Sequence, residues 1–228
     1  MSDYRRWYVP GGTYFFTVVT ADRRPILTTD LGRRCLREAF EEVRRENPFR
    51  VFAIVLLPEH LHCVWTLPPG DDDFSNRWAD VKAEFTKRFL AGGGTEVPIS
   101  PSRRRKGERG VWQRRFWEHL VGDEDVLKRC IDYVHINPLK HGLVQRVWDW
   151  EWSTFRRFVA EGEYAETWGT GIECAPDPIV FGGDEFACCC ENSTRYAAVW
   201  GSMVTFRPSR SSRRTRRLAS RSGCSRSR

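Results

Sequence analysis

The period of the apolar residues switches along this chain in a fixed order, and that order leaves few folds open. Residues 13–20 (TYFFTVVT) are β-branched and aromatic and follow Gly11-Gly12, which predicts a strand. Residues 30–46 then place Leu31, Cys35, Leu36, Ala39, Phe40 and Val43 at helical spacing behind Asp30 as an N-cap, and end before Asn47-Pro48. Residues 50–57 (RVFAIVLL) read as a strand buried on both faces. Pro58-Glu59 turns the chain into a third strand, 60–67 (HLHCVWTL). A second helix over 74–91 carries Phe74, Trp78, Val81, Phe85 and Phe89 on one stripe.

The remaining elements complete one pattern. Residues 92–110 read as a loop with a Gly-Gly-Gly run, two prolines and the basic run 103–106, long enough to be functional or mobile. Residues 111–121 predict a fourth strand. Asp123 caps a third helix, 124–137, which should stop at Asn137-Pro138. Residues 139–160 add short helical or irregular structure rich in Trp. Strand, helix, strand, strand, helix, strand, helix is the order of a ferredoxin-like split βαβ fold. The fold class is therefore α+β, an antiparallel sheet with helices packed on it.

Charge divides the 228 residues into three parts. The net charge is +7, yet residues 158–185 hold seven acids and no Lys or Arg, and residues 186–228 hold ten Arg and one Glu. We expect a folded domain over 1–160, an acidic C-terminal extension over 161–185, and an Arg/Ser-rich tail over 186–228 whose composition predicts disorder. The tail is either a nucleic-acid-binding arm or a read-through extension without a selected role, the plainer reading. The folded part is mildly basic, which permits nucleic-acid binding without demanding it. The eight Cys are irregularly spaced and argue against a disulfide scaffold. No stretch resembles a signal peptide or a membrane span, so the expectation is a cytoplasmic protein without a membrane partner.

Chemistry concentrates at a few positions. His60 and His62 are two apart on a strand, so both imidazoles face the same side and can hold a divalent ion between them. The plainer reading is an edge strand with two His on its wet face. Tyr133 and Asn137 are four apart on a helix and share a face. Asn137 offers a carbonyl oxygen to a metal, and Tyr133 a phenol that can attack phosphorus. Taken alone, that pair reads as a surface tyrosine and a helix-ending asparagine.

Trp112 and Trp117 interleave with Arg114 and Arg115, a mixture suited to base stacking and phosphate contact, or simply to a strand with one wet and one buried face. Arg5 and Arg6 beside Trp7, and the 103–106 run, are further candidates for phosphate contact. His135 lies off the Tyr133 face and is expected beside the site or at the surface. His119 reads as structural. Asp71-Asp72-Asp73 more simply opens a helix than binds a metal.

The stretches LLPEHLHCVWTLPPGDDDFSNRW, VWQRRFWEHLVGDED and YVHINPLKHGLV together resemble the REP-associated tyrosine transposases, single-tyrosine members of the HUH group. The resemblance runs in order from about Tyr4 to Tyr164. It implies a ferredoxin-like transposase domain and a divalent metal, Mg2+ or Mn2+, held by His60 and His62 with Asn137 as third ligand. It implies Tyr133 as the nucleophile of a metal-dependent endonuclease and strand transferase. The implied reaction cleaves and rejoins single-stranded DNA through a 5′-phosphotyrosine and frees a 3′ hydroxyl.

The implied substrate is a palindromic repeat folded as a hairpin, bound by a monomer or weak dimer. Alternatives are a catalytically silent hairpin-binding protein of the same fold, or a rolling-circle or relaxase-type nicking enzyme. Those enzymes often carry a second tyrosine one turn away or a helicase domain. Here positions 129 and 137 are Arg and Asn, and no Walker-type loop occurs. A zinc site from His60, His62 and Cys63 lacks a paired Cys-x-x-Cys partner and ranks last.

Overall fold

A computed structural model describes residues 6–170. Four strands, β1 (Thr13–Val19), β2 (Arg50–Leu56), β3 (His60–Thr66) and β4 (Trp117–Leu120), form one antiparallel sheet in the order β2-β3-β1-β4. That order is the ferredoxin-like one, in which a β-strand, a helix and a second strand enclose a third strand between them. The arrangement follows from β3. It pairs on both edges and is covered on both faces, so nearly every residue in it is buried.

Alternation along the strands sorts the side chains onto two faces. Tyr14, Phe16 and Val18 of β1 and Leu61, Cys63 and Trp65 of β3 meet α1 (Asp30–Glu46) and α2 (Phe74–Ala91) in the larger core. Trp65 stacks on Trp78 with ring centroids 4.3 Å apart, and Phe16 contacts both rings. On the other face, Phe15, Val55 and Val64 pack against Cys130, Ile131 and Val134 of α4 (Glu124–Lys140). The helix starts are set by side-chain caps: Thr29, Asp73 and Asp123 each accept a backbone N–H three residues on. Asp73 thus gives the Asp71–Asp73 run its expected helix-opening role, and Asp71 pairs with the buried Arg77.

Three expectations change. The fourth strand does not run unbroken over 111–121. Trp112 makes an isolated bridge to Thr20, with the Gln113 N–H still on the Val19 carbonyl; the exposed Arg114 and Arg115 then leave the ladder, and pairing resumes at Trp117. Polar residues with no face to bury release the chain there. The 92–110 loop contains a short helix, α3 (Pro101–Arg105), with Ser100 as cap and Pro101 in its first turn. Helix α4 does not stop at Asn137: it passes through Pro138 to Lys140, because Ile136, Asn137 and Pro138 are all buried. The turn is kept by the N–H groups of His141 and Leu143, which reach the carbonyls of Asn137 and Pro138. Packing outweighs the bias against helix before proline.

Nor does packing end at residue 160. Helix α5 (Phe155–Ala160) is followed by Tyr164 and Trp168. Both lie against Phe155, and Tyr164 also hydrogen-bonds the Asp132 carboxylate. The folded body therefore takes in part of the acidic segment. Residues 171–185 and the 186–228 tail lie outside the described residues. Among the described residues no helix is long and apolar enough to cross a membrane.

The segment before α5 protects the free edge of β2. Backbone bonds join Leu56 to Trp152 and Thr154 to Ile54. The Thr154 hydroxyl also meets Nε2 of His135 at 3.0 Å. His135 is fully buried among Phe155, Phe158 and Tyr164, not at the surface or beside the site as expected. Burial first, then Arg157, brings its pKa down to about 3. Between pH 6.5 and about 3 the unfolded chain binds this proton and the folded chain does not, so acidification removes about 1.4 kcal/mol per pH unit. Asp132, whose carboxyl is raised by burial, acts in the opposite sense. Urea unfolding of wild type and His135→Asn at about pH 7 and about pH 5 separates the two: the variant is expected to lose less stability on acidification than wild type.

Candidate functional site

The face of the sheet covered by α4 holds the polar residues that the sequence pointed to. His60 and His62 alternate with Leu61 on β3, so both rings emerge on this side, 4.8 Å apart between centroids. Each is buried, with 5% of its surface exposed. A central strand spends no wet face on two imidazoles, so the edge-strand reading fails.

Both rings are fixed through Nδ1. His60 Nδ1 lies 2.9 Å from the Glu59 carboxylate, and His62 Nδ1 lies 2.8 Å from the hydroxyl of Thr17 on β1. The Glu59 carboxylate can only accept, so the His60 proton sits on Nδ1 and Nε2 keeps the lone pair a metal needs; the Thr17 hydroxyl can accept from His62 in the same way. Burial, then the neighbouring His60, His141 and Lys140, holds the pKa of His62 well below the usual value and keeps the ring neutral. The hydrogen bond from His60 holds Glu59 below the ordinary carboxylate range, against the effect of burial.

Helix α4 supplies the opposite wall. Tyr133 sits edge-on to His62 at 5.3 Å and to Phe15 at 5.8 Å. One turn on, Asn137 is fully buried. Its Nδ2 donates to the Tyr133 carbonyl, and its Oδ1 has no hydrogen-bond partner among the described residues. An orphaned buried acceptor costs about 1–3 kcal/mol unless a ligand satisfies it. Four residues past Asn137, on the stripe that joins it to Tyr133, the ring of His141 meets His60 at 5.2 Å. Burial, then His60, lowers the pKa of His141 as well. The ammonium of Lys140 lies 5.0 Å from the centre of the Tyr133 ring.

The structure thus brings His60, His62, Tyr133 and Asn137 together. Among the described residues no group of three or more His, Cys, Asp or Glu is arranged to hold a metal. An ion here would need the Asn137 oxygen as its third protein ligand, and that orphaned atom fits the need. The zinc reading fails on sidedness: Cys63 points into the opposite core, where burial raises its thiol pKa well above normal. Glu59, Thr17, Lys140 and His141 were missed. Glu59 was read only as a turn residue. Lys140 and His141 fell beyond the expected end of the helix; extending the 3.6-residue stripe from Tyr133 through Pro138 would have reached them.

The expected DNA-contacting residues scatter. Trp112 is corrected to a core residue, 5% exposed with Phe85 against it at 4.8 Å, which withdraws it from base stacking. Arg6 pairs with the buried Glu118 at 3.0 Å, donates to Ser75 and lies over Phe116, so its charge is engaged within the fold. Arg5 lies outside the described residues. Arg114 and Arg115 are exposed, and Arg114 faces Glu108. Trp117 pairs with Thr17 across β1 and β4, so it stands on the face that carries the histidines. There it packs on Phe15 and stacks with His119. Burial lowers His119 to a pKa of about 4.

No protein-family model matches the chain. It is 46% identical over 173 residues to the REP-associated tyrosine transposase of Escherichia coli K12, spanning 75% of this chain and 93% of that protein. A Haemophilus influenzae protein given the same family name provisionally is 40% identical, spanning 74% of this chain and 94% of its own length. A solved structure of a REP-associated tyrosine transposase bound to a REP hairpin aligns with a TM-score of 0.61 at 44% identity. It covers 74% of this chain and 91% of its own.

Proposed function

The chain belongs to the REP-associated tyrosine transposases, and on that premise we propose that it cleaves and rejoins single-stranded DNA beside REP hairpins, with Tyr133 as nucleophile. The observation that carries this reading is the placement of the Tyr133 ring against His62, with Asn137 one helical turn on carrying a buried oxygen that has no hydrogen-bond partner among the described residues. The hairpin enters as substrate through the solved relative, which holds one.

His60, His62 and Asn137 would hold a divalent ion, Mg2+ or Mn2+, through two imidazole nitrogens and an amide oxygen. Bound there, such an ion withdraws charge from the phosphate under attack. The protein's own residues do the rest. Thr17 and Glu59 orient the imidazole rings, and Phe15 holds the Tyr133 ring on edge. The Tyr133 oxygen forms the new bond to phosphorus, and the bond from phosphorus to the 3′ oxygen breaks. The phenol gives up one proton and the leaving 3′ oxygen takes one. The 5′ phosphate stays on Tyr133, so the phosphodiester energy is kept and a second 3′ end can reverse the step. Trp117, whose pairing with Thr17 sets it on the histidine face of the edge strand, would stack on a base of the strand being cut.

Two measurements test the reading. Incubation of the protein with a REP hairpin oligonucleotide carrying single-stranded flanks and Mn2+ is expected to give a covalent adduct on denaturing gels. Tyr133→Phe should give none while still binding the hairpin, and an adduct that survives in the variant refutes the assignment. Thr17→Val and Glu59→Leu, which free the imidazoles from their partners, should each weaken Mn2+ binding about 10–100-fold by calorimetry.

A further inference from the structure

One charged group in this site is left unexplained by the proposed chemistry. Because α4 continues through Pro138, Lys140 lies two turns beyond Tyr133 on the same face, with its ammonium 5.0 Å from the centre of the Tyr133 ring. It is half-buried, and no carboxylate lies within ion-pair distance of it among the described residues. Another cation near the site differs: Arg23 faces Glu59. The side chain the Lys140 ammonium lies against is that of Tyr133. A half-buried cation without an ion-pair partner is costly until an anion arrives. Its place in the last turn of α4 offsets part of that cost through the helix dipole, but does not explain why the ammonium is turned back over the tyrosine.

Resting on the reading of Tyr133 as nucleophile, we propose that Lys140 is a catalytic residue that contacts a non-bridging oxygen of the phosphate under attack. As the tyrosine oxygen bonds to phosphorus and the 3′ oxygen departs, negative charge builds on the two non-bridging oxygens. The Lys140 ammonium meets that charge and emerges unchanged. It neither accepts nor gives up the proton that leaves the phenol.

The test compares wild type, Lys140→Met and Lys140→Arg on a REP hairpin oligonucleotide with single-stranded flanks. The linkage to be cut is either an ordinary phosphodiester or a neutral methylphosphonate. With the phosphodiester, Lys140→Met should form the Tyr133 adduct about 100-fold more slowly at saturating protein, with Lys140→Arg restoring part of the rate. With the methylphosphonate, which has no charge to meet, wild type and Lys140→Met should react equally. Hairpin affinity and melting temperature should be unchanged in both variants, a result that a merely structural role would not give. A Lys140→Met rate equal to wild type on the phosphodiester overturns the inference, as does the same loss on both linkages. Should Lys140→Met not fold, the folded Lys140→Arg decides alone, supporting the inference by a rate loss confined to the phosphodiester. A wild-type protein that forms no adduct overturns the Tyr133 reading and this inference together. A wild-type adduct with indifferent Lys140 variants overturns this inference only.

Discussion

Everything on the α4 side of the sheet is organised around one constraint: β3 is a central strand, closed on both faces, that nonetheless carries two imidazoles. Polar side chains withdrawn from water have to be satisfied from within. Thr17 on the neighbouring strand and Glu59 at the head of β3 satisfy one nitrogen of each ring. That leaves the second nitrogens for whatever occupies the space under α4. The helix is held at its height by apolar contacts from Cys130, Ile131 and Val134, so the polar stripe of Tyr133 and Asn137 sits beside a well-packed one. A site built on a central strand and a packed helix keeps its geometry without relying on loops.

The other side of the sheet does the stabilising. Trp65, Trp78, Phe16 and Phe40 make a continuous aromatic layer between the strands and the first two helices, and no titratable group of the site reaches it. This separation lets the α4 face carry an orphaned acceptor and a half-buried lysine. Each is unfavourable in the free protein by an amount that a domain of ordinary stability tolerates only when the rest of the core is well packed. The unfavourable groups are collected where a bound anion or cation can satisfy them.

Much of this was legible in the sequence. Period-two and period-3.6 stretches located β1, β2, β3, α1 and α2, because each has one strongly apolar face and a turn or cap at its end. Legibility failed where two rules competed. At Asn137-Pro138 the local bias against helix lost to burial, which only tertiary packing supplies. At 111–121 an aromatic-rich run hid the exposed Arg114-Arg115 break. His60 and His62 could be placed on one face by alternation alone, and Tyr133 with Asn137 by helical spacing. That the two faces look at each other required the helix to be seen across β2 and β3. Thr17 gave no signal, because a threonine on a strand is ordinary until its cross-strand partner is known to be His62. Trp112 and Trp117 could not be told apart by composition, since the register that buries one and sets the other beside the site lies in the pairing with β1.

The continuation of α4 shows how one backbone feature alters the chemistry of a whole site. A helix ending at Asn137 would present a phenol and an amide to the two imidazoles of β3. Three more residues in helical register bring the Lys140 ammonium over the phenol, and the C-cap that follows sets a third imidazole, that of His141, against His60. The buried Pro138 is therefore better understood as part of the machinery than as a boundary. Its ring fills the core side of the last turn while the opposite side of that turn carries Lys140 toward Tyr133. A proline that ended the helix would leave the tyrosine without the ammonium that now lies over its ring.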